Sequence, residues 1–282
     1  MLYRGEMRAF AVIAVAVAAC NSSDPLDREE DIAGWANASS AMGAYEWVRE
    51  PVAFADGAFT YQDAQCPATS VSGTVTTVTG GCIDSAGHAW TGTAKVDHTG
   101  TTRTVTLTDY GNDAFGGSVQ TSGTVTITEQ AADQHSFEVD LEAIGGISTT
   151  TRYSGTVTGS YDTPTTWNGS GEIRRAGDFF NGGTVTAITN DQVRDNDQCA
   201  GEGFSGSTDL TSDAHIVVIT YDGDIACDPD HSAHWARDGK DQGILAGVTC
   251  SAGGSGTGWV ALSLVLLLWP ARRRSRSRSA RA

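Results

Sequence analysis

A mostly β, antiparallel meander of about ten to twelve strands is predicted here, as a curved sheet, sandwich or barrel, with one N-terminal helix and a C-terminal hydrophobic helix. Three observations predict it. Beyond Pro51 the chain is dominated by Thr, Val and Gly; apolar and polar residues alternate with period two; and Gly, Asn and Asp clusters break that alternation at intervals.

Residues 1–19 have the parts of an export signal: Arg4 and Arg8, then the apolar run Ala9 to Ala19. A helix needs about twenty residues to cross about 30 Å of hydrocarbon, so this run is a signal and not a permanent span. The junction Val17-Ala18-Ala19-Cys20 resembles a bacterial lipobox. The resemblance implies a diacylated Cys20 at the mature N-terminus, with the export and lipoprotein-processing machinery as partners and a lipid tie to the membrane.

Residues 20–50 read as a lipidated tether and an amphipathic helix. Asn21 to Asp24 is a short polar lead. From about Leu26 to Arg49, Ile32, Trp35, Ala36, Ser39, Met42 and Gly43 recur at helical spacing, with acids in the first turns where the helix dipole favours them. Trp35, Met42 and Trp47 are expected to pack in the core, and Pro51 ends the helix.

Residues 51–250 form the expected β ectodomain. In Arg103 to Thr108 the threonines fall on one face and Val105 and Leu107 on the other; Gly123 to Thr128 repeats this with Val125 and Ile127. Phe137, Val139 and Leu141 alternate with Glu138, Asp140 and Glu142. Such half-buried strands pair antiparallel, because β-branched threonine suits the pleat and leaves its hydroxyl in water. Further strands are expected near Arg152 to Ser160, Thr166 to Arg175 and Thr184 to Thr189. His215 to Tyr221 is apolar on both faces and is therefore expected in the middle of the sheet. His234 to Arg237 and Gly243 to Val248 bracket Asp238-Gly239, a hairpin signal. A Ser-Gly-Thr-Val-Thr phrase recurs at Ser72, Ser122 and Ser154, but its unequal spacing argues against a solenoid. Threonine and acid on the outward positions argue against a transmembrane barrel.

Residues 251–282 comprise a Gly-rich spacer, the apolar run Trp259 to Trp269, and an arginine-rich end. This tail resembles the MYXO-CTERM and GlyGly-CTERM sorting signals, through Cys250, Gly253, Gly254 and the block Arg272, Arg273, Arg274. The resemblance implies an intramembrane sorting protease as partner and delivery to the cell surface. The Ser and Arg alternation after Arg274 departs from those tags, and a plain C-terminal membrane anchor is the alternative.

The charge of the chain is −16. Leaving out Glu6, the two arginines ahead of Cys20 and the six beyond Cys250 takes the mature body to about −23. That excludes nucleic acid as a partner, whose phosphates need the opposite sign, and disfavours adsorption of the body to anionic lipid. Six cysteines fit an oxidising compartment. With Cys20 acylated and Cys250 in the tag, Cys66 would pair with Cys82 and Cys199 with Cys227, although four cysteines allow other connectivities.

The densest group of potential metal ligands is Asp222, Asp224, Asp228, Asp230, His231 and His234. Two imidazoles and a carboxylate can hold zinc, but Gly223 and Pro229 mark a turn and no glutamate follows the first histidine as a base. Calcium fits the acid-rich loops Asp191 to Asp197 and Asp222 to Asp230 somewhat better, without matching an EF-hand. Gly203-Phe204-Ser205-Gly206 misses the nucleophile-elbow pattern, and His88, His98, His135 and His215 stand isolated in the sequence. The expectation is an exported, membrane-anchored lipoprotein of the outer membrane or cell surface of a Gram-negative bacterium. Its role would be structural or the binding of an unidentified surface ligand, with a metal-dependent hydrolase or calcium module built on Asp222 to His234 as the alternative.

Overall fold

Acidic residues open the first element. The helix α1 (Glu29–Ser39) carries Glu29, Glu30 and Asp31 in its first turn, where they meet the positive end of its dipole, and buries Ile32, Trp35, Ala36 and Ser39 on one face. In this computed structural model, residues 24–39, 41, 52, 66–113, 119–145, 148–159, 164–176, 182–194, 205–221, 223 and 233–245 are described.

Fourteen strands follow: β1 (Ala68–Ser72), β2 (Val75–Thr79), β3 (Cys82–Ile83), β4 (Ala89–Thr99), β5 (Thr102–Asn112), β6 (Gln120–Ala131), β7 (Gln134–Ile144), β8 (Ser148–Thr158), β9 (Thr165–Ala176), β10 (Gly183–Arg194), β11 (Ser205–Thr211), β12 (Ile216–Thr220), β13 (His234–Arg237) and β14 (Lys240–Ile244). They form one antiparallel sheet in which neighbours in sequence are neighbours in space, except that β3 pairs only with β4, beside the longer β2–β4 pairing. Among the described residues β1 and β14 end the strand order and do not pair with each other.

The pleat sorts the residues. One row runs Val96, Val105, Val125, Val139, Tyr153, Gly171, Ala187, Leu210, Val217 across nine strands. Its side chains are buried. The row one position away runs Asp97, Thr104, Thr126, Glu138, Ser154, Ser170, Ile188, Asp209, Val218 on the opposite face. Alternation thus produces an apolar inner face, on which α1 covers β9, β10 and β11, and an outer face dominated by hydroxyls and acids. Bulges interrupt the register near Gly92, Asp109 and Asp191, and Asp109 (φ 49°) and Asp191 (φ 46°) adopt left-handed conformations there. Such bulges increase twist and bend the sheet.

The inner face has an aromatic patch made possible by glycine. Phe137 stacks on Tyr153 (6.4 Å, 9°) and meets Trp167 edge-on (6.1 Å). These rings lie over Gly155, Gly169 and Gly171, where a Cβ would come within 2.6 Å of a Phe137 or Tyr153 ring carbon. Nearby, Arg175 is buried and its guanidinium lies 5.2 Å from the Trp35 ring centroid, tying α1 to β9. Burial lowers the Arg175 pKa to about 10.

Several expectations are corrected. Among the described residues the strands number fourteen, short ones forming between residues 68 and 83. The described helix α1 starts at Glu29, three residues after Leu26, with Trp35 in the core as expected; Met42 and Trp47 lie outside the described residues. Strand β12 is not central: two strands lie beyond it, and Ile216 and Val218 are exposed on the outer face. Its two-sided apolar pattern reflects an exposed apolar patch and not double coverage. The C-terminal hydrophobic helix expected from the sequence is not found among the described residues. Among the described residues α1 spans eleven residues, and no helix is long and apolar enough to cross a membrane. That corrects the transmembrane-helix reading as far as the described residues go. Residues 251–282 themselves lie outside the described residues.

Candidate functional site

The outer face holds a shallow depression of about 360 Å³ between β6, β7 and β8. Register builds it. Thr126, Glu138 and Ser154 lie side by side, and Thr128, Ser136 and Thr156 form the adjacent row. All six line the depression together with Phe137 and Gly155. Five hydroxyls, each able to donate and accept, surround one exposed carboxylate that only accepts. The strands hold them at the sheet spacing of about 4.8 Å. Such a surface can hydrogen-bond a ligand carrying many hydroxyls. Its hydroxyls and carboxylate offer hydrogen-bonding chemistry to such a ligand. Further along the same row, Asp209 stands between Ile188 and Val218, and burial raises its carboxyl pKa.

A second polar cluster closes the turn between β3 and β4. Asp84 is buried and accepts hydrogen bonds from the backbone N–H groups of Ala86 and His88, both at 2.9 Å, and from the Trp90 indole at 3.1 Å. Its Oδ2 also lies 3.2 Å from His88 Nδ1. Burial alone would raise this carboxyl, but the hydrogen bonds from the His88 backbone, Trp90, the His88 ring and Ala86 outweigh it and hold the pKa at about 2. The disulfide Cys66–Cys82 lies beside this turn.

A third cluster joins chain segments far apart in sequence. Asp24 accepts from the hydroxyl of Ser212 (2.6 Å) and the N–H of Ala214 (3.1 Å). His215 places Nε2 2.9 Å from Asp27 and Nδ1 2.8 Å from Asp238. Arg237 donates to the carbonyls of Leu26 (3.2 Å) and Asp27 (2.7 Å). Ser212, His215 and Asp238 are the residue types of a nucleophilic triad. However, both ring nitrogens already face carboxylates, so none is left to take a serine proton.

The predicted sites fare unevenly. The Cys66–Cys82 pairing is present. Cys20, Cys199, Cys227, Cys250, Gly253, Gly254, Arg272, Arg273 and Arg274 lie outside the described residues, as do Asp222, Asp224, Asp228, Asp230 and His231. His234 lies exposed at the start of β13, and among the described residues no three His, Cys, Asp or Glu side chains gather as metal ligands. Two of the four histidines read as isolated have carboxylate partners: His88 with Asp84, and His215 with Asp27 and Asp238. The Asp84 partner, four residues from His88, could have been found from the sequence; Asp27, 188 residues from His215, could not.

No protein-family model matches the sequence, and comparisons with curated proteins and with solved structures also find no match.

Proposed function

We propose that this chain is an exported envelope protein of a Gram-negative bacterium, held at the outer membrane or cell surface by lipid on Cys20. Its sheet binds a hydroxyl-rich surface polymer and performs no catalysis. The carrying observation is the depression around Glu138, where five Ser and Thr side chains frame one carboxylate on strands held in fixed register. A polysaccharide offers donors to the carboxylate and both donors and acceptors to the hydroxyls. The address is supported by the export signal, the lipobox-like Val17-Ala18-Ala19-Cys20 and the Cys66–Cys82 disulfide, a bond that persists in oxidising compartments. The strongly acidic body suits a neutral or cation-bridged polymer and repels nucleic acid.

The test is binding of the purified full chain to polysaccharide extracted from the producing cell envelope, followed by calorimetry. Glu138→Ala and Thr126→Val are expected to weaken binding by about tenfold each, the value of a lost hydrogen bond to a charged or well-aligned group. Unchanged affinity in both variants, or no binding by the parent, would reject the polymer reading. Intact mass of the native protein tests the address separately, through an acyl increment at Cys20.

A further inference from the structure

We infer that His215 is a protonation-operated clasp, which seats the N-terminal segment Asp24 to Arg28 on the end of the sheet when its ring carries two protons and releases it when one is lost. The geometry requires this. The ring sits between two carboxylates, Asp27 at 2.9 Å from Nε2 and Asp238 at 2.8 Å from Nδ1. A carboxylate only accepts, and a neutral imidazole has a single N–H. Both contacts are therefore favourable together only in the imidazolium form. Losing one proton turns a ring lone pair toward a carboxylate, replacing a charge-assisted hydrogen bond with repulsion.

The residues around the ring come from three elements. Asp24 and Asp27 approach from the N-terminal segment, Ser212 and Asp213 belong to the loop that carries His215, and Arg237 and Asp238 belong to the β13–β14 hairpin. Acids outnumber Arg237, so the imidazolium offsets much of the local negative charge. Asp238 and Asp27 accordingly raise the His215 pKa, in that order of effect. The sign follows: the clasp is fully closed below the unfolded value of 6.5 and loosens as pH rises through the elevated folded value. What it holds is substantial. Leu26 is fully buried, and its seat is secured by the two Arg237 hydrogen bonds and the Asp24 bonds to Ser212 and Ala214. This device does not depend on the polymer reading.

The experiment is hydrogen exchange on the full chain from about pH 6 to about pH 9, with intrinsic rates divided out, read at the amides of Leu26 and Ala214 that donate to Asp24. Protection in the parent is expected to fall about tenfold or more across that range, one pKa unit being tenfold. His215→Gln should show weak, pH-independent protection at both amides while core amides of β6 and β7 keep theirs. Asp27→Asn should leave the ring titrating at a lower pH, read by NMR of the imidazole. A flat parent profile, a His215→Gln profile matching the parent, or an unmoved ring titration in Asp27→Asn would each overturn the clasp.

Discussion

The indole Nε1 of Trp90 donates to the carboxylate of Asp84 across 3.1 Å, so one buried acid serves the β3–β4 turn and a core tryptophan together. Asp84→Ala removes the acceptor for the indole and for two backbone N–H groups. Stranding buried donors costs about 1–3 kcal/mol each, partly relieved by water at the turn. A loss of about 2 kcal/mol in urea unfolding is expected, and an unchanged midpoint would contradict it.

The same acid sets an acid limit. The Asp84 pKa in the folded chain is about 2 against an ordinary 3.8. Its contribution is therefore present above 3.8 and disappears as pH falls from there through about 2. The difference in stability between parent and Asp84→Asn should narrow over that interval. A constant difference from neutral pH down to about 2 would disprove it.

Glycine roles separate cleanly in the recurring Ser-Gly-Thr-Val-Thr phrase. Gly73 sits in the β1–β2 turn at φ 61° with open space around it, whereas a Cβ on Gly155 would lie 2.6 Å from Phe137 Cζ and 2.4 Å from the Asn168 carbonyl. Gly73→Ala should cost about 1 kcal/mol, from the left-handed backbone alone. Gly155→Ala should cost about 2–3 kcal/mol through displaced backbone and ring, measured by the same denaturation. Equal costs would remove the distinction.

Reducing the Cys66–Cys82 bond releases a loop spanning 16 positions, and the chain-entropy account assigns such a loop about 3 kcal/mol. The paired Cys66→Ser, Cys82→Ser variant should melt earlier and show faster exchange in β1 and β3 than in β7. Uniform loosening of every strand would argue against a local staple.

Arg175 is the cation that fixes α1. Arg175→Ala removes the guanidinium from the Trp35 ring and leaves a void under the helix, so a loss of about 2–3 kcal/mol is expected, with exchange rising first in α1. Retention of α1 protection would show that Ile32 and Trp35 suffice.

Much of the sheet could be read from alternation, since Val105, Leu107, Val125, Ile127, Phe137, Val139 and Leu141 all face inward as their spacing requires. A strand's period decides its face, and that is a local property. Its place in the sheet is not local, which is why β12 was expected in the middle: exposed Ile216 and Val218 look the same in sequence as buried ones. The candidate depression was legible only as alternating Thr and Glu, because it arises from the register joining β6, β7 and β8. The cluster at His215 was hidden for a different reason: proximity of Asp27 to His215 exists only after the whole sheet has formed.

Because each strand's partner is almost always the one just made, this sheet can grow by successive hairpins as the chain emerges, each closing a short loop at low entropic cost. Contacts of α1 with β9, β10 and β11, and those linking the N-terminal segment to Ser212, His215 and Arg237, are exceptions. Asp24 to Arg28, synthesised early, can complete its contacts only after the last hairpin arrives, so a chain truncated before Ser212 keeps its central strands while its leading end lacks the Ser212, His215 and Arg237 partners.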